Sequence, residues 1–225
     1  MRTRVQVYVE NDVAMAFDHG SAAWSFEVDV WGRCGQGPDE AKALGDLNSQ
    51  LGKDADLVVA ERVRGDERAF HRDHRPATDA ERRATLAVLA DSRRDVMALV
   101  RACPDAVLDW DDPHRALPSY ASWRTVRQVA WHIVDTESRY YLPMTGLGYR
   151  EPAGDLLAEL ELSAAHVRKA VETMPADLVR TTNGATWTSV KLLRRLAWHE
   201  RGELAVMRAQ ARRAAKAPST SLRRR

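Results

Sequence analysis

The chain has little cysteine and almost no net charge, and each shortage excludes a class of protein. Its 225 residues include 2 cysteines, Cys34 and Cys103, which are too few for a disulfide framework. The formal net charge is +2, from 34 Lys and Arg against 32 Asp and Glu. That balance is typical neither of a protein that coats nucleic acid nor of one that binds anionic membranes. We therefore expect no nucleic-acid partner and no membrane partner.

Long apolar runs are also missing. No stretch of the sequence approaches the roughly 20 apolar residues that span a bilayer. Residues 1–17 alternate apolar with polar side chains and lack the apolar core of a signal peptide. Hydrophobic residues nevertheless make up 44% of the chain, enough to bury a sizeable core. We expect a soluble, cytoplasmic protein.

The N-terminal part has the alternating pattern of half-buried strands. Apolar and polar residues alternate over residues 5–9 and again over residues 26–30. Helical spacing follows over residues 41–51, and residues 57–63 predict a last strand. The order predicts a small ββαβ domain over residues 1–66.

Three polar segments are interpreted as connections or ends. Residues 32–37 contain three glycines but lack the lysine of a P-loop and the spacing of a dinucleotide fingerprint, so they predict a loop. Residues 67–77 are charged and contain Pro76, which predicts a solvated linker; its two histidines have no apolar shell. Residues 216–225 are expected to form a disordered basic tail.

From Thr78 onward the apolar period becomes helical. Thr78 and Glu81 have the spacing of a capping box. Four stretches with helical periodicity follow, at about 78–103, 124–142, 152–174 and from a cap at Thr186 or Thr188 to 215. Four helices of this length predict a four-helix bundle over residues 78–215. The fold class is therefore α+β with two domains, the second mainly helical.

An internal repeat relates the second and fourth predicted helices. Residues 122–127 and 186–191 share the pattern [ST]-W-x-[ST]-V-[RK], and each helix then reaches Ala-Trp-His, which ends at His132 and His199. A bundle in which each helix pair repeats the other would bring these two histidines toward one central site.

Two polar residues occupy core positions of the fourth helix. His199 and Glu203 lie on a stripe that otherwise includes leucine and valine. Burying both costs several kcal/mol unless each finds a partner. Together with His132 they form a two-histidine, one-carboxylate set suited to zinc, nickel or ferrous iron. The alternative is a hydrogen-bonded core histidine and a Glu203 that pairs with an arginine.

The segments WRTVRQVAWHIVDTESRYYL and WTSVKLLRRLAWHERGELAVMRAQ resemble the second and fourth helices of the DinB-like superfamily. This superfamily of four-helix bundles includes thiol-dependent S-transferases and a mycothiol-dependent maleylpyruvate isomerase. In it, one histidine of the second helix and an H-x-x-x-H pair of the fourth bind a divalent metal. The resemblance assigns His132 and His199 as ligands and puts Glu203 in the place of the third histidine.

The resemblance implies a divalent-metal-dependent transferase or isomerase that acts on a small-molecule substrate and uses a low-molecular-weight thiol such as mycothiol. It further implies that Glu137 acts as a base or orients a ligand. The side chains expected to bind the thiol or the substrate are Arg127, Arg139, Arg195 and Tyr140. Because Glu203 replaces a histidine, two alternatives stay open: a metal-dependent hydrolase at the same site, and a non-catalytic binding protein with a degenerate site.

The N-terminal part carries a second resemblance. The segments YVEND, FEVDVWGRCGQG and PDEAKALGDL, in this order, are similar to a HicB-type domain. Such domains commonly contact partners, so the resemblance implies a dimerisation or lid role and leaves a homodimer open.

Overall fold

The computed structural model describes residues 4–52 and 55–217 and has an α+β architecture. Its N-terminal part is a four-stranded sheet with one helix, formed by β1 (Arg4–Val13), β2 (Gly20–Trp24), β3 (Cys34–Gly37), α1 (Glu40–Gln50) and β4 (Asp56–Arg64). The strand order is β3-β2-β1-β4, in which β1 pairs antiparallel with β2 and parallel with β4. Ala43 and Leu47 of α1 pack against Val7 of β1, so the helix covers one face of the sheet.

The second strand lies earlier in the chain than the alternation predicts. Residues 26–30 do not form a strand; Val28–Val30 is a single 3-10 turn. All five residues of β2 are buried, so no polar alternation marks this strand in the sequence. The glycine-rich segment predicted as a loop forms β3. A Cβ atom at Gly35 would overlap the Ala43 carbonyl oxygen of α1, so the strand and the helix can approach this closely only with glycine there.

The rest of the described chain is mainly helical. Its elements are α2 (Asp79–Ala102), α3 (Asp105–Leu108), α4 (Val126–Asp135), α5 (Leu142–Met144), α6 (Leu156–Thr173), a hairpin of β5 (Val179–Thr182) and β6 (Ala185–Thr188), and α7 (Ser189–Ala214). A π-helical turn, Thr136–Tyr141, joins α4 to α5. The capping box of Thr78 and Glu81 is confirmed, and Thr188 caps α7. All four predicted long helices are present, together with α3 and the hairpin, which the predicted bundle lacks.

The long helices pack around shared apolar clusters. α2 contacts α6 and α7, and α4 contacts the same two helices. Ile133 of α4, Leu160 of α6 and Met207 of α7 are fully buried in one of these clusters. Within the two described ranges, the helices all fall short of the length and apolarity needed to cross a bilayer.

The prediction of a solvated linker at residues 67–77 is wrong. Phe70 and Asp73 are fully buried in and beside a 3-10 turn. Both carboxylate oxygens of Asp73 accept hydrogen bonds from Arg194 of α7, at 3.0 and 2.9 Å. Arg194 also donates to Glu10 of β1 at 2.9 Å, and Arg195 donates to the other oxygen of Glu10 at 2.7 Å. The charges of this segment pair with residues far away in sequence, which is why the local composition misleads. The predicted tail lies outside the described residues from 218 onward.

The N-terminal part of the chain packs directly on α2 and α7. The indole of Trp31 is buried and donates to the Thr85 hydroxyl of α2 at 2.8 Å. The next residue, Gly32, has a φ of +72°, and a Cβ atom there would overlap Ala197 of α7. The two parts of the chain therefore share buried surface and are not connected only by a tether.

Replacing Asp73 with alanine is expected to lower the free energy of unfolding by about 3–5 kcal/mol, because two buried arginines would then share the single carboxylate of Glu10. Urea denaturation followed by circular dichroism measures the change. Asp91→Ala is the control, since it removes an exposed carboxylate that pairs with Arg94 and that solvent screens. Equal losses in the two variants would contradict the assignment of a buried network.

Candidate functional site

The structure brings together the three side chains that the sequence predicts as metal ligands. One ligand atom from each of His132, His199 and Glu203 lies within 4.8 Å of the others. The Nε2 atom of His132 is 3.1 Å from Nε2 of His199 and 3.9 Å from Oε1 of Glu203. Nitrogen and oxygen ligands of one divalent ion, each about 2.0–2.2 Å from it, lie roughly 3–4 Å apart. Both of these distances fit a single shared ion, and the set as a whole, which lies within 4.8 Å, fits one after the side chains move slightly closer together.

Two packed helices position this cluster. His199 and Glu203 are one turn apart on α7, and His132 lies near the end of α4, which contacts α7. The Nδ1 atom of His132 is 3.2 Å from the Thr136 hydroxyl, where the π-helical turn begins. A hydrogen bond at this ring nitrogen orients the imidazole so that Nε2 faces the cluster. Such π-helical turns occur frequently at functional sites.

Aromatic rings hold both imidazoles. Trp123 stacks on His132 with ring centroids 3.5 Å apart and planes 9° apart. Tyr141 meets His199 edge to face at 5.7 Å. Trp187, the repeat equivalent of Trp123, is fully buried and packs on Tyr141 at 5.1 Å. The sequence repeat marks both tryptophans, but only the structure separates the one at the site from the one in the core.

The electrostatics of the cluster suit a cation. Burial, together with a smaller electrostatic effect of His199, lowers the pKa of His132 to about 2. Burial, together with the charges of Arg93 and Arg195, lowers the pKa of His199 to about 3. Burial raises the pKa of Glu203 to about 7. Within the described part of the chain, Oε2 of Glu203 and Nδ1 of His199 have no hydrogen-bond partner. Neutral imidazoles beside an unpaired carboxylate form a donor set that binds divalent metals.

A cavity of about 690 Å³ opens over the cluster. Its walls come from both parts of the chain. The N-terminal part contributes residues 14–16, Gln36, Asp66 and Glu67, and the helical part contributes Tyr120, Trp123 and Trp198 among others. Tyr120 of the helical part contacts the N-terminal part directly, because its hydroxyl donates a hydrogen bond to the carbonyl oxygen of Met15. No local sequence signal marks these wall residues, since they meet only in the folded chain.

The structure places two of the four other predicted binding residues at this cavity. Tyr140 and Arg195 border it, and the Tyr140 hydroxyl donates to Oε1 of Glu67 at 3.2 Å. Arg127 and Arg139 do not border the cavity and instead take part in ion pairs. Arg127 pairs with Asp105 and Asp109 at 2.6 Å each, and Arg139 pairs with Glu159 at 2.7 Å and with Asp135.

Glu137 lies in a separate buried network. Its carboxylate accepts from Arg93 of α2 at 2.7 Å, and Arg93 also donates to Glu200 at 2.5 Å and to the Leu160 carbonyl at 2.7 Å. Burial raises the pKa of both carboxyl groups. Glu137 borders a different cavity, between α2 and α6, and not the one above the histidines. The geometry therefore connects Glu137 with helix packing and not with the predicted role of a base at the cluster.

The span from α2 to α7 that carries this site also identifies the family. A family model described as the DinB superfamily matches residues 88–207. The chain belongs to the DinB superfamily. The match covers more than half of the 225 residues and includes all three candidate ligands. No curated protein and no solved structure matches the chain. The matched span begins after the N-terminal sheet, so the HicB-type resemblance of that sheet stays a prediction.

The lowered pKa values predict that His132 and His199 stay neutral in metal-free protein between pH 8 and pH 5. A group whose pKa is lowered takes up its proton only in more acidic solution than the ordinary value of about 6.5. Nitrogen-15 NMR of the ring nitrogens measures this directly, and His132→Gln and His199→Gln assign the two signals. A titration midpoint near pH 6.5 for either ring would show that the cluster is open to solvent.

Proposed function

We propose that this DinB superfamily member is a divalent-metal-dependent enzyme whose ligands are His132, His199 and Glu203. The proposal rests on one observation above all, the convergence of three ligand atoms within 4.8 Å below a cavity of about 690 Å³. A two-histidine, one-carboxylate set with open coordination positions suits zinc, nickel or ferrous iron. The helical part would be a four-helix bundle of the family type, in a cytoplasmic protein.

We further propose that the reaction is a transfer or isomerisation that uses a low-molecular-weight thiol such as mycothiol. A bound divalent ion lowers the pKa of a thiol or a water molecule and makes it nucleophilic near neutral pH. The chain itself orients the donors. Thr136 and Trp123 hold the ring of His132, and Glu203 adds the one negative charge of the set. The surrounding walls limit the access of water to the reacting groups.

Tyr140 is the residue that we assign to substrate orientation. It borders the cavity and is 40% exposed. Burial and the neighbouring carboxylate of Glu67 raise its pKa, which keeps the hydroxyl protonated near neutral pH. The hydroxyl proton is directed at Glu67, so the phenolic oxygen can accept a hydrogen bond from an N–H or O–H group of a substrate.

Glu203→Gln is expected to weaken metal binding by at least about tenfold while the protein still folds, because an amide oxygen replaces the anionic ligand. Isothermal titration with Zn²⁺ measures the affinity, and circular dichroism verifies the fold. Glu161→Gln, which removes an exposed carboxylate of α6, is the matched control.

Elemental analysis of protein purified without added metal provides an independent test. About one ion per chain is expected in the wild type and far less in His199→Ala. Sub-stoichiometric metal that His199→Ala leaves unchanged would overturn the metal centre and favour a non-catalytic binding protein.

Thiol use is tested with metal-loaded protein, a low-molecular-weight thiol and a small electrophile. A conjugate or an isomerised product should form only when the thiol is present, and Tyr140→Phe should raise KM more than it lowers kcat. Mass spectrometry of the products detects the conjugate. Conversion of the electrophile by water alone would replace the thiol-dependent reaction with hydrolysis at the same site.

A further inference from the structure

Arg195 is a buried cation at the wall of the cavity whose donors are only partly used. Its side chain is 5% exposed, and it borders the cavity above the histidines. A guanidinium carries five N–H groups. One nitrogen, Nη2, donates to Glu10 at 2.7 Å, whereas Nη1 faces only the thioether of Met15 at 3.2 Å. In the described part of the chain, Nε has no hydrogen-bond acceptor at all. A thioether is a weak acceptor, so the guanidinium of Arg195 (the Arg195 fork) still has N–H donors available for a ligand.

The N-terminal sheet holds Arg195 in this position. Glu10 belongs to β1 and is 1% exposed, and Met15 lies shortly after the same strand. The indoles of Trp24 and Trp198 lie 5.2 and 5.7 Å from the guanidinium carbon. Glu10, Met15 and the two indoles therefore hold the Arg195 side chain at the wall of the cavity.

The charges around the cavity favour a ligand with a single negative charge. Arg194 and Arg195 are balanced by Glu10 and Asp73, so the buried network needs no further anion for neutrality. What Nη1 and Nε of Arg195 lack is an acceptor oxygen. Three carboxylates also border the cavity, those of Asp66, Glu67 and Glu203, and Arg115 and Arg213 border it too, so its charges nearly balance. A doubly charged phosphate would leave an excess of negative charge there, whereas a carboxylate adds one charge and can accept two N–H groups from the guanidinium.

The position of Arg195 along α7 relates it to the metal ligands. Arg195, His199 and Glu203 are spaced four residues apart, so they follow one another on one face of the helix, about 6 Å per step. A small molecule in the cavity can contact the Arg195 fork with one end and the candidate metal centre with the other.

We propose that Arg195 binds a carboxylate group of the substrate, in a subsite that the N-terminal sheet and α7 build together. The sheet is then part of the substrate site of this enzyme and restricts its substrates to small carboxylic acids. This inference rests on the proposed function, because it takes the histidine cluster as the place where the substrate reacts. Binding of the carboxylate to Arg195 does not itself require the metal.

The experiment compares butanoate with its neutral analogue butanamide, by isothermal titration into metal-free and Zn²⁺-loaded protein. Wild type should bind butanoate in both forms and at least about tenfold more tightly than butanamide. Arg195→Gln should lose this preference, and Arg195→Lys should retain only part of it. Arg208→Gln removes the same charge from an exposed position of α7 and should bind like the wild type.

The outcomes separate this inference from the proposed function. Butanoate binding that occurs only with Zn²⁺ and persists in Arg195→Gln would place the carboxylate on the metal and overturn the subsite. Equal affinities for butanoate and butanamide, or tighter binding of inorganic phosphate, would overturn the assignment to a carboxylate. Butanoate binding that depends on Arg195 in a protein that takes up no Zn²⁺ would support the subsite while the metal proposal fails.

A second variant keeps the test decisive where Arg195→Gln does not fold. Met15→Glu introduces a carboxylate beside Nη1 of Arg195 without removing the arginine. This built-in carboxylate should compete for the fork and weaken butanoate binding at least about tenfold, whereas the neutral variant Met15→Gln should change it little. Unaltered binding in a folded Met15→Glu protein would contradict the proposal.

Discussion

The structure depends on a buried ion network that joins the N-terminal sheet to α7. Arg194 and Arg195 are both buried, and the carboxylates of Glu10 and Asp73 neutralise them at distances of 2.7–3.0 Å. Removing ions from water is costly, so such a network is stable only when every partner is in place. Its geometry therefore determines how the sheet, the segment around Asp73 and the helix pack, and the cavity between them follows from that packing.

One helix serves both stability and the candidate site. α7 carries Arg194 and Arg195, which bind the sheet, and one and two turns later it carries His199 and Glu203. A shift of the sheet would therefore displace the wall that lies above the histidines. Since Met15 and Glu67 border the same cavity, the N-terminal part forms one side of the site and is more than an attached module.

Glu203 gives the candidate centre its particular chemistry. A divalent ion together with two neutral imidazoles and one carboxylate has a net charge one unit less positive than the same ion with three neutral histidines. Burial raises the pKa of Glu203, so this carboxylate depends on a nearby cation for its ionised form. The Arg93 network behind His199 contains two further carboxyl groups, Glu137 and Glu200, but these are occupied with their arginine. Glu203 is the carboxylate that faces the histidines.

The sequence by itself determined the long helices, the capping box of Thr78 and Glu81, and the three residues that meet at the site. Helical periodicity, the Ala-Trp-His repeat and the four-residue step from His199 to Glu203 are local or repeated patterns, and local patterns survive folding. Only the tertiary structure decided the features that depend on residues far away in the sequence, namely which side chains are buried and which charges are paired. Asp73 looks solvated until Arg194, 121 residues away, pairs with it. The fully buried β2 shows no alternation, and Arg127 and Arg195 look alike until folding pairs one with surface aspartates and encloses the other beside the cavity. Long-range pairing of charges leaves no periodic signature in a single chain, so only the folded protein shows which arginine borders the cavity.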